Sequence, residues 1–223
     1  NDLEIYGFEA LSRPHSQSIL NNPEMLFKLS LKYGFYVELE KVAWEKSLEY
    51  AVRNKEDKNL FMNCNAYLFQ APDFGEIIHV FNRFGLDPSQ VFLEITERSN
   101  IKDFAVFEQT IQQYRQAGFR FAVDDVGGGF SSLESIISLK PEVVKIDRHI
   151  INGVHKDNCK RSLVQFINSF CKENKILSLA EGIETRADLM ALKELGVDLG
   201  QGYYLFRPSP IIDLKDMNRP VDL

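Results

Sequence analysis

Residues 119–147 read FRFAVDDVGGGFSSLESIISLKPEVVKID. A β-rich run, Phe119 to Asp124, ends in the pair Asp124-Asp125, and the glycines Gly127-Gly128-Gly129 and serines Ser131-Ser132 follow with the composition of a turn that opens a helix. A second β-rich run, Val143 to Asp147, closes the stretch, so it reads as one βαβ unit. The same alternation extends in both directions. Further strands are predicted at Glu4 to Leu11, Asn59 to Asn65, Val91 to Glu97, Ile176 to Glu181 and Leu199 to Leu205. Between Asp157 and Asn174, Leu163, Phe166, Ile167 and Phe170 recur at helical spacing, which predicts an amphipathic helix facing a sheet through those residues. Phe104, Phe107, Ile111 and Tyr114 give the same pattern ahead of Gly118, a helix stop. Repeated βα units imply a parallel sheet. The absence of a Pro/Ser-rich linker favours one α/β barrel domain over residues 1–223, its eighth strand lying before residue 1. A doubly wound sheet would carry glycines in its first βα turn, and Glu9-Ala10-Leu11-Ser12-Arg13-Pro14 carries none.

Composition sets the outer bounds. With 223 residues, 44% of them hydrophobic and 26% charged, the chain has ordinary globular composition. A formal net charge of -6 argues against a broad, sequence-independent grip on duplex nucleic acid, which needs a basic face. Cys64, Cys159 and Cys171 are too scattered for a disulfide framework or a zinc knuckle; they read as small buried hydrophobes, Cys171 especially, in a reducing, cytoplasmic setting. No run approaches the roughly 18–20 apolar residues of a membrane span, so no direct membrane insertion is expected of this segment. The chain opens Asn1-Asp2-Leu3-Glu4 without Met, and the expectation is a piece of a longer protein, a cytoplasmic domain that a membrane anchor upstream could carry.

Nearly every expected strand ends in a group able to bind metal or transfer protons: Glu9, Asn63, Glu94, Asp124, Lys145, Glu181 and Gln201. In a barrel, the C-terminal strand ends share one face, so these residues would converge. Clustered carboxylates repel unless protonated or bound to cations, and hard oxygens with one amide oxygen suit Mg²⁺ or Mn²⁺ rather than Zn²⁺. Asp124 and Asp125 could serve two ions about 3.5–4 Å apart, the clamp used for in-line displacement at phosphorus. The pair taken alone is equally a turn and helix cap, the commoner use. Lys145 alternates to the same face as Val143 and Asp147, where a salt bridge, a partner for water or phosphate, and a Schiff-base amine are all conceivable. Carboxylates nearby would hold it charged, which favours the electrostatic role. Arg13 could fork onto a phosphate, although most loop arginines are simply solvated. His15, His79, His149 and His155 lack ligand spacing and read as surface or core residues.

Taken together, the segments Glu9-Ala10-Leu11-Ser12-Arg13, Asn63-Cys64-Asn65, Glu94-Ile95-Thr96-Glu97, Asp124 to Leu133, Lys145-Ile146-Asp147, Glu181-Gly182-Ile183-Glu184-Thr185 and Gln201-Gly202-Tyr203-Tyr204 resemble, in order and end to end, the EAL-domain cyclic-di-GMP phosphodiesterases. The resemblance implies a modified TIM (β/α)8 barrel with one antiparallel strand, truncated at its N-terminus, within a multidomain signalling protein that has a sensor or signalling domain upstream. It implies hydrolysis of cyclic-di-GMP to linear pGpG with two ions of Mg²⁺ or Mn²⁺, Ca²⁺ being inhibitory. The family's metal ligands correspond to Glu9, Asn63, Glu94, Asp124, Asp125 and Glu181. Its catalytic group corresponds to Lys145, Glu181, Asp125 and Gln201, and its substrate contacts to Arg13, Leu11 and Gln201. Glu97 takes the place of the acid that steadies the loop after the aspartate pair, a loop that in this family couples the site to a homodimer contact. Val126, Gly128 and Phe130 stand where the family usually has Phe, Thr and Tyr, Asn65 where it has Ser, and Pro14 where Trp is common. None of these departures removes a ligand.

A second reading is an EAL domain with weak or lost catalysis that serves as a cyclic-di-GMP receptor; such domains lack one or more acids, and this chain keeps them all. A purely structural domain would leave the acid cluster an unexplained cost. A Schiff-base lyase would require Lys145 to be trapped by borohydride with a carbonyl substrate.

Overall fold

The structure is a computed structural model and describes residues 3–15, 18–53, 58–65, 68–70, 77–96, 104–128 and 132–209. The chain divides into two compact units, one of Gly7–Glu94 and Ser99–Arg120, the other of Asn1–Tyr6, Ile95–Arg98 and Phe121–Leu223. They are called the N-terminal and C-terminal units below.

The N-terminal unit contains β1 (Gly7–Ala10), α1 (Pro23–Tyr33), α2 (Tyr36–Arg53), β2 (Asn59–Cys64), α3 (Ile77–Phe84), the start of β3 (Val91–Thr96) and α4 (Phe104–Gln116). Strands β1 and β2 pair in parallel from Gly7↔Asn59 to Ala10↔Met62. A parallel pair needs a long crossover, which α1 and α2 supply. Asn22 caps α1 by accepting from the Met25 N–H at 3.1 Å, Pro23 stands in its first turn, and Gly34 ends it in the left-handed region. Helix α2 buries Tyr36, Glu40, Trp44 and Leu48, one residue per turn. Aromatic rings fill much of this core. Phe61 stacks on Phe92 at 4.4 Å, Phe81 meets Trp44 at 5.7 Å and Phe119 at 4.7 Å, and Phe69 meets Tyr114 edge-on at 5.6 Å. Each such pair adds about 0.5–1.5 kcal/mol to its area term. Phe107, Ile111 and Tyr114 of α4 are buried as the sequence pattern requires, and the helix ends just ahead of Gly118, whose φ is +104°.

The C-terminal unit contains the rest of β4 (Arg120–Val126), then α5 (Ser132–Leu139), β5 (Val143–Ile146), α6 (Arg148–Ile151), α7 (Asn158–Glu173), β6 (Leu177–Ala180), α8 (Arg186–Glu194) and β7 (Leu199–Gly200). Pairings β4–β5, β5–β6 and β6–β7 are all parallel. An antiparallel strand has no counterpart among these pairings. Strand β5 is buried along its whole length, as expected of a parallel strand covered on both faces.

Helix α7 departs from expectation in its orientation. Its ends are where the sequence puts them: Asp157 accepts from the N–H groups of Cys159 at 2.9 Å and Lys160 at 3.2 Å, and Asn174 closes the other end. Its buried stripe, however, is Val164, Ile167, Asn168 and Cys171, while Leu163 is 41% and Phe166 60% exposed. The reason is Asn168. Its amide donates to the carbonyls of Leu195 at 2.8 Å and Gly196 at 3.0 Å and accepts the Ser178 hydroxyl at 2.8 Å, so a polar residue holds a core position that hydrophobic counting gives to an apolar one. Cys64 and Cys171 are buried as expected, but Cys159, in the first turn of α7, is exposed. Among the described residues no helix is long and apolar enough to cross a membrane.

Candidate active site

Strands β4 and β5 run in register from Ala122↔Val143 to Val123↔Val144, and pairing resumes at Val126↔Ile146. Two residues, Asp124 and Asp125, therefore stand opposite one, Lys145. This is a β-bulge, which bends the strand and re-aims side chains. Asp125 takes the left-handed conformation with φ +56°, which Asp tolerates better than most residues. Gly127 comes next but one at φ +95°, a conformation that residues with a side chain rarely adopt, so glycine suits the turn after the pair.

Lys145 is 1% exposed. Its Nζ lies 3.1 Å from Asp124 Oδ1 and 2.9 Å from Glu181 Oε1. Glu181 sits just past β6, its N–H donating to the Ile146 carbonyl at 3.1 Å, so backbone ladders on both sides of Lys145 present the two acids to it. Burying a lysine is costly unless it is paired, and these two carboxylates pair it. Asp125 joins the group. Burial first, then the charge of Asp124 and a hydrogen bond with Asp147, push its carboxyl up to about 6. Asp147 also accepts from the His149 N–H at 2.6 Å and so caps α6.

One carboxylate oxygen from each of Asp124, Asp125 and Glu181 lies within 4.8 Å of the other two. Opposite oxygens around Mg²⁺ or Mn²⁺ are about 4.2 Å apart, so spacing and donor chemistry both fit a hard divalent cation. Gln201 follows β7; its N–H donates to Ala180 at 2.8 Å and its carbonyl accepts from Ile183 at 3.0 Å. A Cβ at the next residue, Gly202, would sit 2.2 Å from the Ile183 nitrogen, so glycine is obligatory beside Gln201.

In the N-terminal unit, the Asn63 Nδ2 donates to Glu9 Oε1 at 3.3 Å, bringing these two expected ligands together across β1 and β2. Glu94 on β3 is completely buried. Leu11 and Arg13 follow β1 and are exposed, and the Arg13 guanidinium donates to the Ser12 carbonyl at 2.9 Å. Glu97 lies outside the described residues, as do Gly129, Phe130 and Ser131. Of the histidines, His155 is tied by its Nδ1 to the buried Asp188 at 2.7 Å. Asp147 shares a face with Lys145 as its alternation implies, but its hydrogen bond with Asp125 and the bulge in β4 were not foreseen, and neither has a compositional signal.

The EAL domain family model matches residues 1–208. The probable cyclic di-GMP phosphodiesterase PdeA of Escherichia coli K12 is 32% identical over 146 residues, 66% of this chain and 20% of that protein. The bifunctional diguanylate cyclase/cyclic di-GMP phosphodiesterase MucR of Pseudomonas aeruginosa is 31% identical over 216 residues, 92% of this chain and 31% of that protein. The chain thus spans between a fifth and a third of these relatives. Among solved structures, the PaMucR phosphodiesterase in complex with c-di-GMP superimposes with a TM-score of 0.82 at 29% identity, covering 93% of this chain and 86% of that one. Klebsiella pneumoniae BlrP1 in its manganese/cy-diGMP complex gives 0.81 at 27% identity, covering 92% and 52%. The parallel strands, laid down in chain order with helices between them, accordingly form a TIM-like α/β fold. With the match running over nearly its whole length, the chain belongs to the EAL domain family.

Proposed function

We propose that this protein is a metal-dependent phosphodiesterase that hydrolyses cyclic-di-GMP to linear pGpG. The observation that carries the reading is the buried Lys145 held between Asp124 and Glu181, with Asp125 beside them, in a member of the EAL family. Relatives that are themselves c-di-GMP phosphodiesterases, or were solved with c-di-GMP and manganese or calcium, support it.

Metal ligation is assigned to Glu9, Asn63, Glu94, Asp124, Asp125 and Glu181, each on its own account. Two bound Mg²⁺ or Mn²⁺ ions would supply activation of water and charge neutralisation at phosphorus. The protein's own residues do the rest. Lys145, kept charged by its carboxylates, donates toward the attacking water and orients it, while Asp125, with its raised pKa, would have to give up its proton for a cation to bind. Gln201 positions polar atoms at the metal-water site and touches substrate, Leu11 and Arg13 contact the ligand, and Glu97 steadies the loop after the aspartate pair. Ca²⁺, larger and looser in coordination than Mg²⁺, is expected to support binding and inhibit turnover. The protein acts in the cytoplasm as a homodimer under an upstream sensor or signalling domain; a monomer in sedimentation at high concentration, with ligand and metal present, would contradict the dimer.

The test is chromatography of products from cyclic-di-GMP incubated with the wild type and with the Glu9→Ala, Asp124→Ala and His149→Ala variants. Loss of pGpG in the first two and retention in the third is expected. Full turnover in either acid variant would overturn the assignment.

A further inference from the structure

Behind β2 lies a buried polar network that the reaction proposed above leaves unused. Glu40, on the inner stripe of α2, is 3% exposed, and burial pushes its carboxyl up to about 8. Tyr36, one turn before, hydrogen-bonds to this carboxyl through its side chain, as does the backbone of Asn65, and Trp44 stands one turn after. The Asn65 side chain in turn hydrogen-bonds to the Tyr36 hydroxyl. The Trp44 Nε1–H donates to the main-chain carbonyl of Asn63 at 3.1 Å. One face of α2 therefore grips the end of β2 at two points, residue 63 and residue 65, on either side of the buried Cys64.

Asn63 itself is exposed, its amide donating to Glu9 Oε1 at 3.3 Å. An apolar residue at position 40 would pack on this stripe without the cost of burying a carboxyl. What the carboxyl adds is a fixed place for the backbone that carries Asn63. We propose that Tyr36, Glu40 and Trp44 are positioning residues that hold the Asn63 amide, through the backbone of residues 63–65, in the orientation that ligates a divalent cation. This rests on the reading of Asn63 as a ligand. Partners that orient a ligand without touching the metal commonly change metal affinity 10–100-fold when removed.

Binding of Mn²⁺ to the purified protein, followed by the EPR signal of the free aqueous ion, tests it at a temperature where far-UV circular dichroism shows each variant folded. Asn63→Ala sets the scale. Trp44→Phe keeps a ring but removes the N–H, Glu40→Leu removes the acceptor, and Glu40→Gln restores a carbonyl in the same volume. Trp44→Phe and Glu40→Leu should weaken Mn²⁺ binding by about fivefold or more, with Glu40→Gln within about twofold of wild type. Wild-type affinity in Trp44→Phe and Glu40→Leu, beside weakened binding in Asn63→Ala, would overturn the proposal and leave the network a purely structural one. Wild-type affinity in Asn63→Ala would instead remove Asn63 from the ligand set and take the proposal with it. Should Glu40→Leu fail to fold, Trp44→Phe decides alone.

Discussion

Lys145 shows how much a single position can carry. A lysine in the run Val143-Val144-Lys145-Ile146 is anomalous in sequence, and the fold resolves the anomaly by placing it against Asp124 and Glu181. Lys145→Met keeps the length and removes the charge, so turnover should fall by about 10²–10³ while Mn²⁺ still binds; wild-type turnover would contradict the role given to the ammonium group. Asp125 sets a pH dependence. A cation must displace its proton, and with a carboxyl titrating near 6 the deprotonated fraction at pH 5 is about one tenth of that at pH 7. Apparent Mn²⁺ affinity should therefore drop by about tenfold between those values, and a flat titration would count against Asp125 as a ligand. Glu40 acts on stability instead. Its folded pKa, about 8, lies above the ordinary 4.5, so the folded state holds the proton longer. The contribution is fully present below pH 4.5 and is lost as pH rises through 8, by about 1.4 kcal/mol per pH unit across that window. Urea midpoints should show Glu40→Gln gaining on wild type steadily from pH 5 to 8; a constant gap would mean that Glu40 ionises normally. That Asp124, Lys145 and Glu181 stand at or near strand ends was legible because strand ends are legible. The bulge that sets Asp124 and Asp125 against Lys145 was not, since backbone register leaves no trace in composition.

Strands were the easiest elements to read. Residues 59–65, 91–97 and 143–147 were expected, and β2, β3 and β5 occupy Asn59–Cys64, Val91–Thr96 and Val143–Ile146. Each is a short apolar run with clear punctuation on either side. Helix α7 was found at the right place with its inward face only partly right, Ile167 buried but Leu163 and Phe166 exposed, because Asn168, Ser178 and Asp198 form a polar cluster that no hydrophobic pattern announces. That rotation is measurable. Ile167→Ala, which empties a buried position, should cost about 2–5 kcal/mol, whereas Phe166→Ser at an exposed one should stay within about 0.5 kcal/mol. Equal losses in denaturant midpoints would mean that the sequence-based face was the right one. The N-terminal unit teaches a related lesson: α2 spaces its buried residues as any core helix does, yet one of them is a glutamate whose partners are a phenol and the backbone just past a strand.

For the molecule as a whole, family membership was legible in the sequence because seven short motifs occur in order over nearly the full length, and the family match over residues 1–208 agrees. A net charge of -6 would disfavour a dianionic ligand, and cations held by the acids, as proposed above, would remove that objection. The chemistry is thus expected to be switched by metal. The decisive measurement is incubation of the purified protein with cyclic-di-GMP in Mn²⁺, in EDTA and in Ca²⁺, with products resolved by chromatography and ligand binding followed in parallel. Formation of pGpG is expected in Mn²⁺ alone, with binding but no product in Ca²⁺. Tight binding without turnover in Mn²⁺ would contradict it and make the protein a cyclic-di-GMP receptor.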